Sequence, residues 1–366
     1  MARMRLKDIA AQAGVSPATV SKYLNGHHDA MSAATRERIA DVVERTGYRP
    51  NSTARNLRLD RSHTLGVILA DIRNPYSSAM LEELSAQAAE AGYALTCAIS
   101  GNDPAKEAAA VERLLEAGVD SLIVNTCGGN DALLRETDAR TPVVLLDRDV
   151  APAGTRGQTA ARNAEAGANA ATGTADSPTV GLDLVTSNNA ELVAHLVHEV
   201  AQAGCTRIHL LTEQDSSSSI RRERALTFMR ELVAGGLTGS TLTLRAQPRD
   251  AARQLSELAD AHMPLGLIAI NGLVFQQLVE AVQLSGLLVP ERLRIATFDE
   301  YSWNRVLFGG VTTAAQDTRG VASATLERLA LRIGDRVHRT GKGATGPTNP
   351  CRIEIPGRII RRDSTR

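Results

Sequence analysis

Aromatic side chains make up only 3% of the 366 residues, so aliphatic residues supply nearly all of the 43% hydrophobic content. Cysteine is equally sparse: Cys97, Cys127, Cys205 and Cys351 lie far apart with no CxxC spacing, which argues against a zinc site or a disulfide framework and reads as reduced, mostly buried thiols. No apolar run approaches the roughly 20 residues a bilayer-spanning helix needs. The opening MARMRLKDIAAQAG lacks a signal-peptide apolar stretch, so a cytoplasmic protein with no membrane role is expected. Motifs of the common enzyme classes are missing too: there is no GxGxxG, no GxSxG and no GxxxxGK[ST], since GKGATG at 341 has the wrong order. His195 and His198 are three apart on a predicted helix without a neighbouring ligand signature, and read as surface residues. No cofactor, metal or catalytic residue is expected.

Net charge is also absent as a whole, with 41 basic against 41 acidic residues, yet it is unevenly placed. Residues 1–61 hold eleven Lys/Arg against six Asp/Glu, leaving 30 against 35 in the remainder. A basic head on an acidic body is expected when only the head meets phosphate, because neutralising phosphates releases counterions. The length calls for two or three domains, each with its own core.

In the head, Leu6, Ile9, Ala10 and Ala13 fall at helical spacing, and Gly14 supplies a residue able to take positive φ at a sharp turn. Val15 follows as a buried plug. Ser16 reads as an N-cap with Pro17 at the first helical position, and Val20 and Leu24 point the second helix inward. Pro17, Ala18, Ser21 and Lys22 are thereby left on the outer face, the part of a helix-turn-helix that enters a major groove. Lys22 suits guanine, Thr19, Ser21 and Asn25 suit phosphate oxygens, and Pro17 and Ala18 offer apolar contact. A third helix begins near Ser32, buries Ile39, Val42 and Val43, and stops around Gly47. Periodicity and charge alone also allow a small helical bundle without a DNA role.

From Leu65 onward apolar runs alternate with helical stretches: LGVILA, a helix around Ala79 to Ala91, YALTCAIS, a helix to Ala117, SLIVNT and TPVVLLD. A second series follows residue 180, with GLDLV, a helix through Val200, TRIHLLT, a helix around Arg222 to Leu232, STLTLR, LGLIAIN and LRIATFD. Such alternation predicts two Rossmann-like parallel sheets, with a ligand cleft beyond the carboxyl ends of their strands.

KDIAAQAGVSPATVSKYLNG followed by TRERIADVVERTGYRPN resembles the headpiece of the lactose-repressor (LacI/GalR) family almost position by position, and the resemblance extends over nearly all of the body. It implies an all-α helix-turn-helix headpiece at 1–50, a hinge at 51–62, and a two-lobe α/β core like a periplasmic binding protein at 63–363. Lobe one is expected at about 63–150 and 317–345, and lobe two at about 180–316 and 350–363. In that family the hinge folds on operator DNA, with Leu57 here at the wedge position. Arg55 and Arg58 would face nearby phosphates, and paired wedges would kink the duplex from the minor groove. The alternative for this stretch is a flexible polar linker.

Carried over by position, the resemblance implicates Asn74 and Tyr76 in DIRNPYS, Asn125, Asp147 in LLDR, Arg224 in RALTFMREL, Asn271 in IAIN and Asp299 in TFDE as effector contacts. Trp303 adds a stacking face, and Arg73 and Arg148 suit an acidic ligand. Strand-end Asp and Asn also cap following helices, and Trp303 could simply fill the lobe junction. The chain departs from the family at Asn188-Asn189, where Asp-Asn is common, at Gly272, where Asp is frequent, and at Thr227, the usual glycine of RxxGF. A missing carboxylate relatively favours an anionic ligand, hence the expectation of a sugar acid or a sugar. Residues 151–179 form an Ala/Gly/Thr/Asn-rich insertion, read as a surface loop. The expected protein is a homodimeric repressor on a near-palindromic operator, released or tightened by a small effector. Other readings are a free-standing sugar-binding protein or an enzyme on the same architecture.

Overall fold

The computed structural model describes residues 4–24, 26–48, 61–150, 181–213, 218–259, 263–339 and 350–366, and divides into two compact units, Met1–Ser62 and His63–Arg366. Asn25, Arg55, Leu57 and Arg58, most of the 51–62 hinge and the 151–179 insertion lie outside the described residues.

The first unit is built from α1 (Leu6–Ala13), α2 (Pro17–Leu24) and α3 (Ala33–Thr46). Gly14 closes α1 in the left-handed conformation at φ 63°, where a side chain would be strained. The Ser16 hydroxyl accepts from the Thr19 amide at 3.1 Å, the N-cap bond expected of it, and Ser32 does the same for α3 from Thr35 at 3.3 Å. Ile9, Ala10, Ala13, Val20, Ile39 and Val42 form the core, with Val15, Leu24 and Val43 packed half-buried against it. Pro17, Ala18 and Lys22 remain exposed on the other side of α2.

The second unit carries two six-stranded sheets. The first contains β1 (Thr64–Leu69), β2 (Ala94–Ile99), β3 (Ser121–Val124), β4 (Val143–Leu146), β5 (Asp183–Ser187) and β11 (Arg352–Ile355), in the order β11-β5-β4-β3-β1-β2. All its pairings are parallel. The second contains β6 (Arg207–Thr212), β7 (Thr238–Thr243), β8 (Leu265–Ala269), β9 (Leu293–Phe298), β10 (Thr312–Ala315) and β12 (Arg358–Ile360), in the order β12-β10-β9-β8-β6-β7. Only the β10–β12 pairing is antiparallel there. Helices α4 (Pro75–Glu90), α5 (Pro104–Glu116), α6 (Asp131–Asp138) and α11 (Thr318–Arg339) serve the first sheet. Helices α7 (Asn189–Gln202), α8 (Ser219–Ala234), α9 (Pro248–Leu258) and α10 (Gly272–Ser285) serve the second.

One expectation is corrected. The GLDLV strand, expected to open lobe two, is β5 of the first sheet, paired in parallel with β4 and β11. Its fully buried Asp183 fixes that position, because Arg328 and Arg332 of α11 reach it at 2.8 and 2.7 Å, and a buried carboxylate needs such partners. β11, within the 350–363 span expected for lobe two, belongs to lobe one for the same reason: it extends the sheet beside β5. The chain therefore passes between lobes three times, after β5, after β10 and between β11 and β12. The Asn188 side-chain carbonyl accepts from the Gly357 amide at 2.8 Å and ties two of these crossings together. Helix α4 also starts earlier than its periodicity suggested, because Asn74 caps it and Pro75 occupies its first turn.

Candidate functional site

The turns after β4 and β9 present equivalent carboxylates, close enough to act on one another and on Arg224. Asp147 and Asp299 follow these strands with φ of 64° and 70°. Each donates its amide to the neighbouring strand, to Val185 at 2.8 Å and to Ala314 at 3.0 Å. A left-handed conformation at a non-glycine residue costs of order 1–3 kcal/mol. It occurs at the equivalent aspartate after β4 and after β9, and so marks both as constrained backbone positions.

Arg224 lies between them. It is 4% exposed, and its guanidinium donates to Asn189 Oδ1 at 2.7 Å, the Ile270 carbonyl at 2.6 Å and Gln316 Oε1 at 3.2 Å, over the Phe298 ring at 3.7 Å. Burial pulls its pKa below the ordinary arginine value, opposed by the charges of Asp147 and Asp299. Burial likewise raises Asp299, 3% exposed, with Arg224 opposing and the Gln316 amide donating to its carboxylate. Arginine and aspartates thus depend on one another for charge compensation inside a buried site.

A second group gathers after β4 and β6. Arg148 donates to Asn102 Oδ1 at 2.9 Å and, more weakly, to the Thr126 carbonyl at 3.4 Å. Burial, then the positive charge of Arg221, hold its pKa below the ordinary value. Arg221 pairs with Glu213 at 2.5 Å, and Glu213 accepts from Asn271 Nδ2 at 2.7 Å. Asn271 also caps α10, its Oδ1 accepting from the Val274 amide at 2.9 Å. The capping reading of this residue is thus met, and its Nδ2 is engaged by Glu213.

The remaining sequence-derived residues sit in distinct places. Asn125 is buried and donates to the Leu146 carbonyl at 2.9 Å, joining the ends of β3 and β4. Tyr76 is buried on α4 and electrostatically coupled to Asp147, Asp299 and Arg224. Asn74 is the α4 cap, accepting from the Tyr76 amide at 3.3 Å. Arg73 is held at the rim by Asp71 at 2.8 Å, with its side chain 79% exposed, and does not join the buried set. Trp303, 37% exposed, stacks at 4.8 Å on Tyr301.

Sequence reasoning missed Tyr301, Glu213, Arg221 and Gln316. Glu213 and Gln316 directly follow β6 and β10, so the rule that ligands sit beyond strand carboxyl ends could have found them. Arg221 precedes Arg224 by three residues and so shares its helix face. Nothing in the pattern singled out Tyr301.

A helix-turn-helix unit and a two-lobe α/β unit with a polar, charge-compensated cleft define a ligand-responsive DNA-binding regulator. Residues 5–51 match the family of bacterial regulatory proteins of the lacI type, and residues 197–365 match a periplasmic binding protein-like domain. The chain is 30% identical to the HTH-type transcriptional regulator PtxS of Pseudomonas plecoglossicida, over 99% of this chain and 96% of that protein. It is 29% identical to the HTH-type transcriptional regulator KdgR of Bacillus subtilis, over 98% and 97%. In fold it resembles the lac repressor dimer bound to operator and the anti-inducer ONPF, with a TM-score of 0.74 and 20% identity over 100% and 99% of the two chains. The chain belongs to the lacI family: it is a DNA-binding transcriptional regulator with an effector-binding domain, and not an enzyme. Among the described residues no helix is long and apolar enough to cross a membrane.

Proposed function

We propose that the chain is a cytoplasmic, homodimeric repressor that occupies a near-palindromic operator and is controlled by a sugar acid bound between its lobes, associating with the nucleoid while on DNA. On DNA, Ser16, Thr19, Ser21 and Asn25 position the headpiece on phosphates, Pro17, Ala18 and Lys22 meet base edges, and Arg55 and Leu57 act at the minor groove. In the core, Tyr76, Asn125, Asp147, Arg224, Asn271 and Asp299 hold the sugar hydroxyls and Arg148 the acid group, with Arg73, Asn74 and Trp303 at the mouth. The effector acts through its differential affinity for two arrangements of the lobes, and so of the hinges.

One observation carries the acidic ligand. Arg148 is 7% exposed, yet its hydrogen bonds go to neutral acceptors, and no carboxylate among the described residues forms an ion pair with it. Asp147 and Glu213 act on it only from beyond contact distance; a buried cation without a direct counter-ion is costly, and a ligand carboxylate restores the balance. The test is a thermal-shift screen of the full-length protein with D-gluconate and D-glucose as first probes. A ligand at about 100 times its dissociation constant stabilises by about 2.7 kcal/mol. The expected result is a selective rise with the acid that Arg148→Ala abolishes; a rise with the neutral sugar alone contradicts it.

A further inference from the structure

Two phenol oxygens from opposite lobes are buried near Asp299, that of Tyr76 on α4 and that of Tyr301, a half-buried residue in the turn after β9. The Tyr301 hydroxyl lies within hydrogen-bonding reach of Asp299 and the Tyr76 hydroxyl within reach of Ser187, but neither contact has the geometry of a well-formed hydrogen bond. Leaving a buried donor unsatisfied costs about 1–3 kcal/mol, so such groups are expected where a ligand supplies the acceptor.

The placement of Tyr301 depends on its neighbours. A Cβ at Gly272 would stand 2.8 Å from the phenol oxygen and 2.9 Å from Cε2, closer than packed atoms approach. The Trp303 ring closes on Tyr301 at 4.8 Å and 30°. The ring is therefore confined, and any side chain at position 272 would displace it. The two polar groups of the cleft also differ in kind: Arg148 and Arg221 cluster with Glu213, whereas the phenols cluster with Asp299 and Arg224, and Asp147 acts on both.

We propose that Tyr301 is a specificity-determining residue of the effector cleft, donating with Tyr76 to oxygen atoms at the uncharged polyol end of the ligand, in space left open by the missing side chain of Gly272. This assignment rests on the sugar-acid reading. It gives the ligand an orientation, acid group toward Arg148 and hydroxyl-bearing end toward Tyr301. Burial, then the charge of Asp299, push the ionisation of the Tyr301 phenol well up, so it stays a neutral donor throughout the physiological range. A neutral hydroxyl at this point donates to a hydroxyl or carbonyl oxygen and offers no counter-charge to an amine.

The experiment is calorimetric titration of full-length wild type, Tyr301→Phe and Gly272→Ala/Tyr301→Ser with a panel of five- and six-carbon aldonic acids led by D-gluconate, alongside apo melting curves. Tyr301→Phe is expected to bind about tenfold more weakly while its apo melting temperature is unchanged or raised, because the lost hydroxyl makes no well-formed hydrogen bond without ligand. The double variant is expected to fold and to lose the same affinity. Unaltered affinity in Tyr301→Phe overturns the assignment and leaves the sugar-acid reading standing. A fall in apo stability that accounts for the weaker binding makes Tyr301 structural and overturns it as well. If wild type binds no acid of the panel, the sugar-acid reading itself fails and takes this assignment with it.

Discussion

Replacing Arg224 by Met keeps much of the side-chain volume but removes the cation that Asp147 and Asp299 share. In its place remain two carboxylates of the same sign, one of them 3% exposed, and the Asn189, Ile270 and Gln316 acceptors lose their donor. Removing one partner of a buried ionic network costs about 3–5 kcal/mol. At roughly 2 °C per kcal/mol for a unit of this size, the core should melt about 6–10 °C lower by calorimetry. The cause is electrostatic, so neutralising a carboxylate should return part of the loss: Arg224→Met with Asp299→Asn is expected to be less destabilised than the sum of the single variants. A fall under about 2 °C in the single variant, or strict additivity in the pair, would refute the claim that Arg224 is their counter-ion.

Three further outcomes follow from other parts of the molecule. Ser16→Ala should destabilise the headpiece by about 1 kcal/mol through loss of the α2 cap, whereas Lys22→Ala should leave its stability unchanged and relax base preference in a binding-site selection. Burial pushes the Cys127 thiol up to about 12 and Cys205 to about 11, so a thiol reagent at neutral pH should label exposed Cys97 in the native protein and reach these two only on unfolding. His209 is buried with Nδ1 3.1 Å from Ser240 Oγ, and burial lowers its pKa from 6.5. The unfolded chain therefore binds this proton more readily. Its contribution to stability should be full above about pH 6.5, decline as pH falls, and level off below the folded value, a slope that His209→Gln should flatten.

The headpiece was the most legible part of the sequence, because its helices are written locally: Ser16 and Ser32 cap, Gly14 turns, and Ile9, Val20 and Ile39 recur at helical spacing. The strands of both lobes were legible as apolar runs, but the sheet that β5 joins was not. That choice rests on Arg328 and Arg332 reaching Asp183 across about 150 residues of chain, and no local pattern contains it. The site divides in the same way. Asp147, Arg224, Asn271 and Asp299 stand at strand ends or in a family motif, so position alone brought them forward. Tyr301 depends on an absent side chain at Gly272, a steric relation that only the folded chain shows.

The central claim, that a ligand in the core controls binding of the headpiece to specific DNA, is tested most directly by fluorescence anisotropy. The full-length protein would be titrated onto a sequence recovered by binding-site selection, at fixed salt, with and without the acid that shifts its melting temperature. The account predicts a preference for one near-palindromic sequence and at least a tenfold change in its affinity on adding the acid, absent in Arg148→Ala. Affinity for all sequences alike, or a specific affinity that the bound acid leaves unchanged, would contradict it.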